Sequence, residues 1–201
     1  MKPTEILSNE HRVIEQVLQC LGKIADEAES GGKLDKESAE KAVTFFRNFA
    51  DRCHHGKEEA HLFPAMESKG FSRGCGPTGV MLAEHELGRQ HVRGMAENIE
   101  NASSGDADAI ERFVEHARSY VELLTNHIQK EDHCLFPQAD QAFSDDDQKK
   151  LLSAFQRVES EEMGEGVHEG YLTIANELAD HYGVDRAVST HAGQTAGRCC
   201  H

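Results

Sequence analysis

The sequence is poor in residues that interrupt helices or favour strands. It contains no tryptophan and only four prolines among 201 residues, and its β-branched residues do not gather into long runs. Apolar residues instead recur at steps of three and four, which places them on one face of a helix. The sequence therefore predicts an all-α protein.

Long apolar runs and basic clusters are also missing. No stretch approaches the roughly 20 apolar residues that span a bilayer, so we expect no membrane segment and a cytoplasmic protein. Acidic residues outnumber basic ones, 36 to 21, for a formal net charge of −15. No segment gathers enough lysine and arginine to follow a phosphate backbone, which argues against a nucleic-acid partner.

The six cysteines form neither a CxxC pair nor the pattern of a secreted disulfide framework, so we expect most of them to be reduced. Cys53 and Cys134 lie close in sequence to the histidines discussed below. Packing as small buried side chains is favoured for them over a role in lining a site. For the vicinal Cys199 and Cys200, a thiol-bearing tail is favoured over a segment that handles metal.

Apolar periodicity and turn residues divide the chain into helices. A glycine-rich break over residues 70–79 separates the second helix from the third, and Ser144 begins a weaker fifth helix. We predict a four-helix bundle in residues 1–143, a C-terminal helical extension in residues 144–182 and a flexible tail in residues 183–201. The helices are expected at about Thr4–Glu29, Asp35–Met66, Thr78–Ser103, Asp106–Pro137, from Ser144 through Phe155, and Val167–Tyr182.

An internal repeat contains many of the 13 histidines. Residues 54–64, HHGKEEAHLFP, realign with residues 127–137, HIQKEDHCLFP, after a shift of 73 (127 − 54), and six of the eleven positions are identical. A shift of 74 places the Glu-His pair at 10–11 on the pair at 84–85. The chain thus reads as two similar helical hairpins.

The repeated motifs place imidazoles and carboxylates in one layer. In each copy a glutamate follows a histidine by four residues, about one helical turn, so both side chains project from one face. In each hairpin, the histidine of the first helix lies about as many residues before the turn as the histidine of the second helix lies after it. The two histidines are therefore expected at the same depth in the bundle. Four neutral imidazoles and two carboxylates suit iron, manganese or zinc, and the carboxylates are natural bridges between two ions. The predicted metal ligands are His11, His54, Glu58, His85, His127 and Glu131.

Simpler interpretations exist for each motif alone. One HxxxE is commonly a solvated ion pair, and one histidine on an apolar helix is usually a hydrogen-bonded core residue. Repetition in register favours metal binding. His55 and Glu59 form a rival pair that the second copy does not repeat, so His55 stays open as an extra ligand or a supporting residue. The Leu-Phe-Pro endings are predicted to pack the core and to kink or close their helices.

These motifs resemble the hemerythrin-like, or HHE, cation-binding family over about residues 5–140. The resemblance implies an up-down-up-down bundle holding two irons bridged by the two glutamates, with an oxo or hydroxo bridge as a further option and manganese or zinc less favoured. Oxygen-carrying members have a fifth histidine where this chain has Arg89, and a His-x4-Asp pair where it has His127 and Glu131. Extra C-terminal helices also occur in some bacterial members.

The expected function is that of a non-haem di-iron protein that binds or reduces a small oxidant, namely O2, peroxide or NO, in stress response or iron handling. An alternative is an iron or oxygen sensor without catalysis, whose C-terminal helices present a surface to a protein partner. A third is a structural metal site that stabilises the bundle. The sequence leaves open whether the protein is an enzyme and which residues would be catalytic.

Overall fold

The computed structural model of the chain describes residues 1–74, 76–163 and 167–187. These ranges are helical and contain no strand, which confirms the all-α prediction. The α-helices are α1 (Pro3–Gly31), α2 (Lys36–Phe45), α3 (Phe63–Ser68), α4 (Pro77–Ser103), α5 (Ala107–Lys130), α6 (Phe136–Ala142), α7 (Asp145–Arg157) and α8 (Val167–Tyr182). Four further segments are π-helical, namely Phe46–His55, Glu58–Leu62, Glu131–Leu135 and Val158–Met163.

Local sequence signals fix the two hairpin turns. The first follows α1, where Gly32 adopts a φ of 65° and its N–H donates to the Ala28 carbonyl at 3.0 Å. The second contains Gly105, with a φ of 88°, followed by Asp106. The Asp106 side chain accepts a 2.8 Å hydrogen bond from the Ala109 N–H and so caps α5.

The π-helical segments interrupt helices that the sequence predicts as continuous. In a π-helix each N–H bonds to the carbonyl five residues back, so a turn holds more residues than an α-turn. Two of these segments, Glu58–Leu62 and Glu131–Leu135, come just before Pro64 and Pro137. Proline lacks an N–H and crowds the preceding turn, which the wider π-turn accommodates. The helices continue past both prolines as α3 and α6, so closure at these prolines is not seen.

Two apolar clusters lie on either side of the histidine layer. The larger contains Ile14, Phe49 and Ile128 and draws on α1, α2, α4, α5 and α8. The smaller contains Leu7 and both Leu-Phe endings, together with Leu151 and Phe155 of α7. His11 lies between Leu7 and Ile14 in α1. The predicted ligands therefore lie in a polar layer, with apolar side chains on both sides of it along the helix axes.

The C-terminal helices are part of the same packing. Helix α8 lies against α1 and α2, and its Leu178 and Tyr182 are buried in the larger cluster. Beyond α8, the Ala187 N–H donates to the Gln16 side chain at 2.6 Å. The proposed domain division stays a prediction. The remainder of the predicted tail, with Cys199 and Cys200, lies outside the described residues.

None of the helices in the described ranges combines the length and apolar character that crossing a membrane requires.

Because Leu178 is buried against the main cluster, Leu178→Ala is expected to lower the free energy of unfolding by about 2–5 kcal/mol. Thr173→Ala, on the exposed face of α8, is the matched control and should change it by less than about 0.5 kcal/mol. Urea unfolding followed by circular dichroism measures both. Equal, small effects would contradict the packing of α8 into the main core.

Candidate metal centre

The four predicted histidine ligands are buried and meet in two opposed pairs. The Nε2 atoms of His11 and His54 lie 3.0 Å apart, and those of His85 and His127 lie 3.1 Å apart. Each pair joins a residue near the start of one long helix to a residue late in the next. The structure thus brings together the imidazoles that the repeat predicted.

The other ring nitrogen of each of these histidines faces a carboxylate. His11 Nδ1 donates to Asp132 at 2.9 Å, and His54 Nδ1 donates to Glu10 at 2.9 Å. In the second pair, His85 Nδ1 donates to Glu59 at 2.7 Å, and His127 Nδ1 donates to Glu84 at 2.9 Å. This contact places the hydrogen on Nδ1 and leaves Nε2 with a lone pair. Two such lone pairs facing each other at about 3 Å repel unless a proton or metal ion lies beside them.

Cations complete this outer ring of contacts. Lys57 pairs with Glu10, and Lys130, its equivalent in the second repeat, pairs with Glu84. Arg12 pairs with Asp132. Burial opposes ionisation of Glu10, but Lys57 and the His54 ring lower the pKa of this carboxyl to about 2. The carboxylate is therefore charged at neutral pH and holds the His54 ring in place.

Arg89, at the position where oxygen carriers have a histidine, belongs to the same outer ring. Its guanidinium donates to Asp51 at 2.8–2.9 Å and to Glu59 at 2.6 Å. Glu59 in turn accepts from His85. Arg89 thus supports a histidine through a carboxylate.

Glu58 and Glu131 are completely buried between the two imidazole pairs. None of their four carboxylate oxygens has a hydrogen-bond partner among the described residues. The Glu58 oxygens lie 3.7 Å from His54 Nε2 and 3.5 Å from His85 Nε2. Burial and the neighbouring Glu131 carboxylate raise the pKa of Glu58 well above its ordinary value.

Glu131 spans the same gap from the other side. One of its oxygens lies 3.2 Å from Nε2 of His11 and 3.3 Å from Nε2 of His127. Although burial opposes protonation, Glu131 and Glu84 raise the pKa of His127 to about 9. Without a metal, His127 therefore favours its protonated form near neutral pH. The negative charge of the neighbouring carboxylates thus favours a cation at this position.

Two groups of side chains have the composition and proximity that a metal ion needs. In one, ligand atoms of His11, His54, Glu58 and Glu131 all lie within 4.8 Å of one another. In the other, the same holds for His55, Glu58, His85 and His127. Glu58 belongs to both groups. The donor set of nitrogen and carboxylate oxygen is suited to iron, manganese or zinc.

The cysteines near the motifs lie in different surroundings. Cys53 is buried, and its burial raises the pKa of the thiol to about 12, as expected for a packing residue. Cys134 is exposed. Neither belongs to the two groups of candidate ligands among the described residues.

The supporting role of the outer carboxylates and cations was not predicted, although the sequence contains a signal for it. The repeat aligns Glu10 with Glu84, Lys57 with Lys130, and Glu59 with Asp132. Every one of these residues belongs to the contacts that orient the histidines. His55 is the other residue whose place the repeat did not settle, because position 128 of the second copy is isoleucine.

Comparison with known proteins places the chain in a family of cation-binding domains. The family model described as the hemerythrin HHE cation binding domain matches residues 2–139. Uncharacterized proteins of Mycobacterium bovis and of two strains of Mycobacterium tuberculosis are each 21% identical over 176 residues, covering 88% of this chain and 67% of theirs. No solved structure matches the chain.

The two equivalent lysines provide a matched test of the outer contacts. Lys57 is fully buried, whereas 42% of the Lys130 side chain is exposed. Lys57→Met leaves a buried carboxylate unpaired, so we expect it to lower the free energy of unfolding of the metal-free protein by about 3–5 kcal/mol. Lys130→Met, the control, should cost less than about 1 kcal/mol because water reaches that pair.

Adding Glu10→Gln to Lys57→Met removes the unpaired charge and should restore more than half of the lost stability. Urea unfolding of the four metal-free proteins, including wild type, gives all three differences. A Lys57→Met cost no larger than that of Lys130→Met would contradict this account of the buried pair.

Proposed function

The chain belongs to the hemerythrin HHE cation-binding family, and on this premise we propose that it is a non-haem di-iron protein that binds or reduces a small oxidant. The single observation that supports this most is the pair of buried carboxylates, Glu58 and Glu131, which lack hydrogen-bond donors and lie between two pairs of opposed imidazoles. Burying carboxylates without hydrogen-bond partners lowers the stability of the fold. Two metal ions bound between Glu58 and Glu131 would provide positive partners for both carboxylates.

The proposed assignment of ligands follows from the contacts. His11 and His54 would hold one ion, and His85 and His127 the other. Glu58 and Glu131 would bridge the ions, because each carboxylate reaches one histidine of either pair. Iron held by these residues would supply redox chemistry toward O2, peroxide or NO.

A cavity supports the choice of a small molecule as ligand. It measures about 160 Å³, and its lining includes the exposed Arg47 and Arg93 as well as the buried His55 and His85. It therefore connects the surface with one of the two imidazole pairs. A volume near that of cavities that take up benzene or xenon admits diatomic and triatomic molecules and excludes large substrates.

The finer arrangement is part of the same proposal. The contacts of α4 with α5, of α1 with α5 and of α2 with α4 support an up-down-up-down bundle. A cytoplasmic role in stress response or iron handling would suit a centre of this chemistry.

Glu58→Gln separates metal binding from folding. Burial and the neighbouring Glu131 raise the pKa of Glu58, which favours its neutral form, and the neutral amide of glutamine has nearly the same shape. The free energy of unfolding of the metal-free protein should therefore change by less than about 1 kcal/mol. Bound iron should fall from two ions per chain to one or fewer. The absorption change on adding O2, peroxide or NO to the Fe(II) protein should be lost.

Glu122→Gln is the control, because it alters an exposed glutamate on α5, the helix that carries His127. It should bind two irons and react as wild type does. If Glu58→Gln retained two irons and the wild-type spectral response, or if wild type took up no iron, the proposed function would be wrong.

One contact favours a second candidate, an iron sensor that signals through its C-terminal region. Glu159, in the π-helical segment after α7, contacts Lys57 at 2.5 Å. Lys57 pairs with Glu10, and Glu10 accepts from His54. A change at His54 on metal binding thus has a continuous polar route to the C-terminal extension.

For the sensor, iron loading should change amide hydrogen exchange in residues 145–163 of wild type, and Glu159→Gln should reduce that change without altering the iron count. Glu177→Gln, which alters a distant pair with Lys41, is the control and should behave as wild type. Mass spectrometry with and without iron measures the exchange. Identical exchange in both wild-type forms would exclude this route.

A further inference from the structure

His55 is a buried polar side chain that the metal proposal leaves without a role. Only 4% of it is exposed, and its Nδ1 has no hydrogen-bond partner among the described residues. The Asp51 carboxylate lies 3.5 Å from Nδ1, at the limit of useful contact. A buried ring nitrogen without a hydrogen-bond partner destabilises the fold unless a bound ligand supplies that partner.

The geometry of His55 argues against its acting as a ligand beside His85. The two rings are stacked, with centroids 3.7 Å apart and planes 12° from parallel. Two imidazoles that direct nitrogens at one ion diverge from it, so they cannot lie face to face at van der Waals distance. Although a His55 nitrogen lies within 4.8 Å of the ligand atoms of Glu58, His85 and His127, the ring lies beside this group.

The space that His55 faces is the cavity described above. His55 and His85 line it together, with Phe46, Val92 and Tyr120 as apolar walls. The charged lining consists of three arginines and Asp51; Asp51 pairs with Arg89, and Arg93 pairs with Glu86 outside the lining. Arg47 has no acidic partner among the described residues, and its positive charge favours an anion.

Resting on the proposed function, we propose that His55 donates a hydrogen bond to a small anion of two or three heavy atoms that occupies this cavity beside the metal position of His85 and His127. A neutral imidazole carries one N–H donor in either tautomer. Stacking on His85 fixes the ring, so the donor is held in place before the anion arrives. Binding involves no covalent or redox step.

Azide is a suitable probe, since it is a triatomic anion and its binding to Fe(III) changes the visible spectrum. We would titrate the iron-loaded protein as wild type, His55→Phe and His55→Gln, and count iron per chain in each. Phenylalanine keeps the stacked ring and removes the donor, so azide affinity should fall about tenfold, the effect of one hydrogen bond, with iron unchanged. Glutamine keeps a donor and should stay within about threefold of wild type.

His133→Gln changes an exposed histidine near Glu131 and should leave azide affinity as in wild type. Circular dichroism checks that each variant folds, and His55→Leu replaces His55→Phe if the latter does not. Unchanged azide affinity in His55→Phe would overturn the assignment, as would equal losses in His55→Phe and His55→Gln. A fall to one iron in His55→Phe would instead make His55 a ligand and also overturn it. Wild type that took up no iron would refute the proposed function and this assignment together.

Discussion

The structure depends on the neutralisation of two carboxylates that lie side by side away from water. Glu58 and Glu131 are completely buried, and hydrocarbon clusters lie on either side of their layer. Among the described residues they are surrounded by imidazoles, and protons or metal ions can compensate their charge. In the metal-free protein, burial and Glu131 raise the pKa of Glu58, and against the effect of burial Glu131 and Glu84 raise the pKa of His127, so protonation is favoured at both groups. The outer carboxylates and cations orient the imidazoles so that ions can replace those protons.

The two halves of the centre repeat this design but differ in their environment. In the first half the supporting lysine, Lys57, is buried and also contacts Glu159 of the C-terminal extension. In the second half Lys130 lies at the surface. The cavity with His55 opens beside His85 in the second half. The first half therefore contacts the C-terminal extension, and the cavity lies where His55 of the first half meets His85 of the second.

Most of the helices and the meeting of the six candidate ligands follow from the sequence, because a repeat in register carries long-range information that single motifs lack. The π-helical segments could not be predicted, since over one turn an apolar pattern does not distinguish bonds to the fourth residue from bonds to the fifth. The repeat leaves His55 open because isoleucine stands at position 128 of the second copy, and the burial of His55 depends on the π-helical turn that contains it. The packing of α8 into the main core depends on tertiary contacts of Leu178 and Tyr182 that no local pattern specifies.

The proposed function requires that two metal ions bind between Glu58 and Glu131. Diffraction from crystals of the iron-loaded protein at the iron absorption edge tests it most directly. Two anomalous peaks about 3.5–4 Å apart are expected between the His11–His54 pair and the His85–His127 pair, with both carboxylates in contact with them. Absence of anomalous density at Glu58 and Glu131, or peaks confined to the protein surface, would contradict the account.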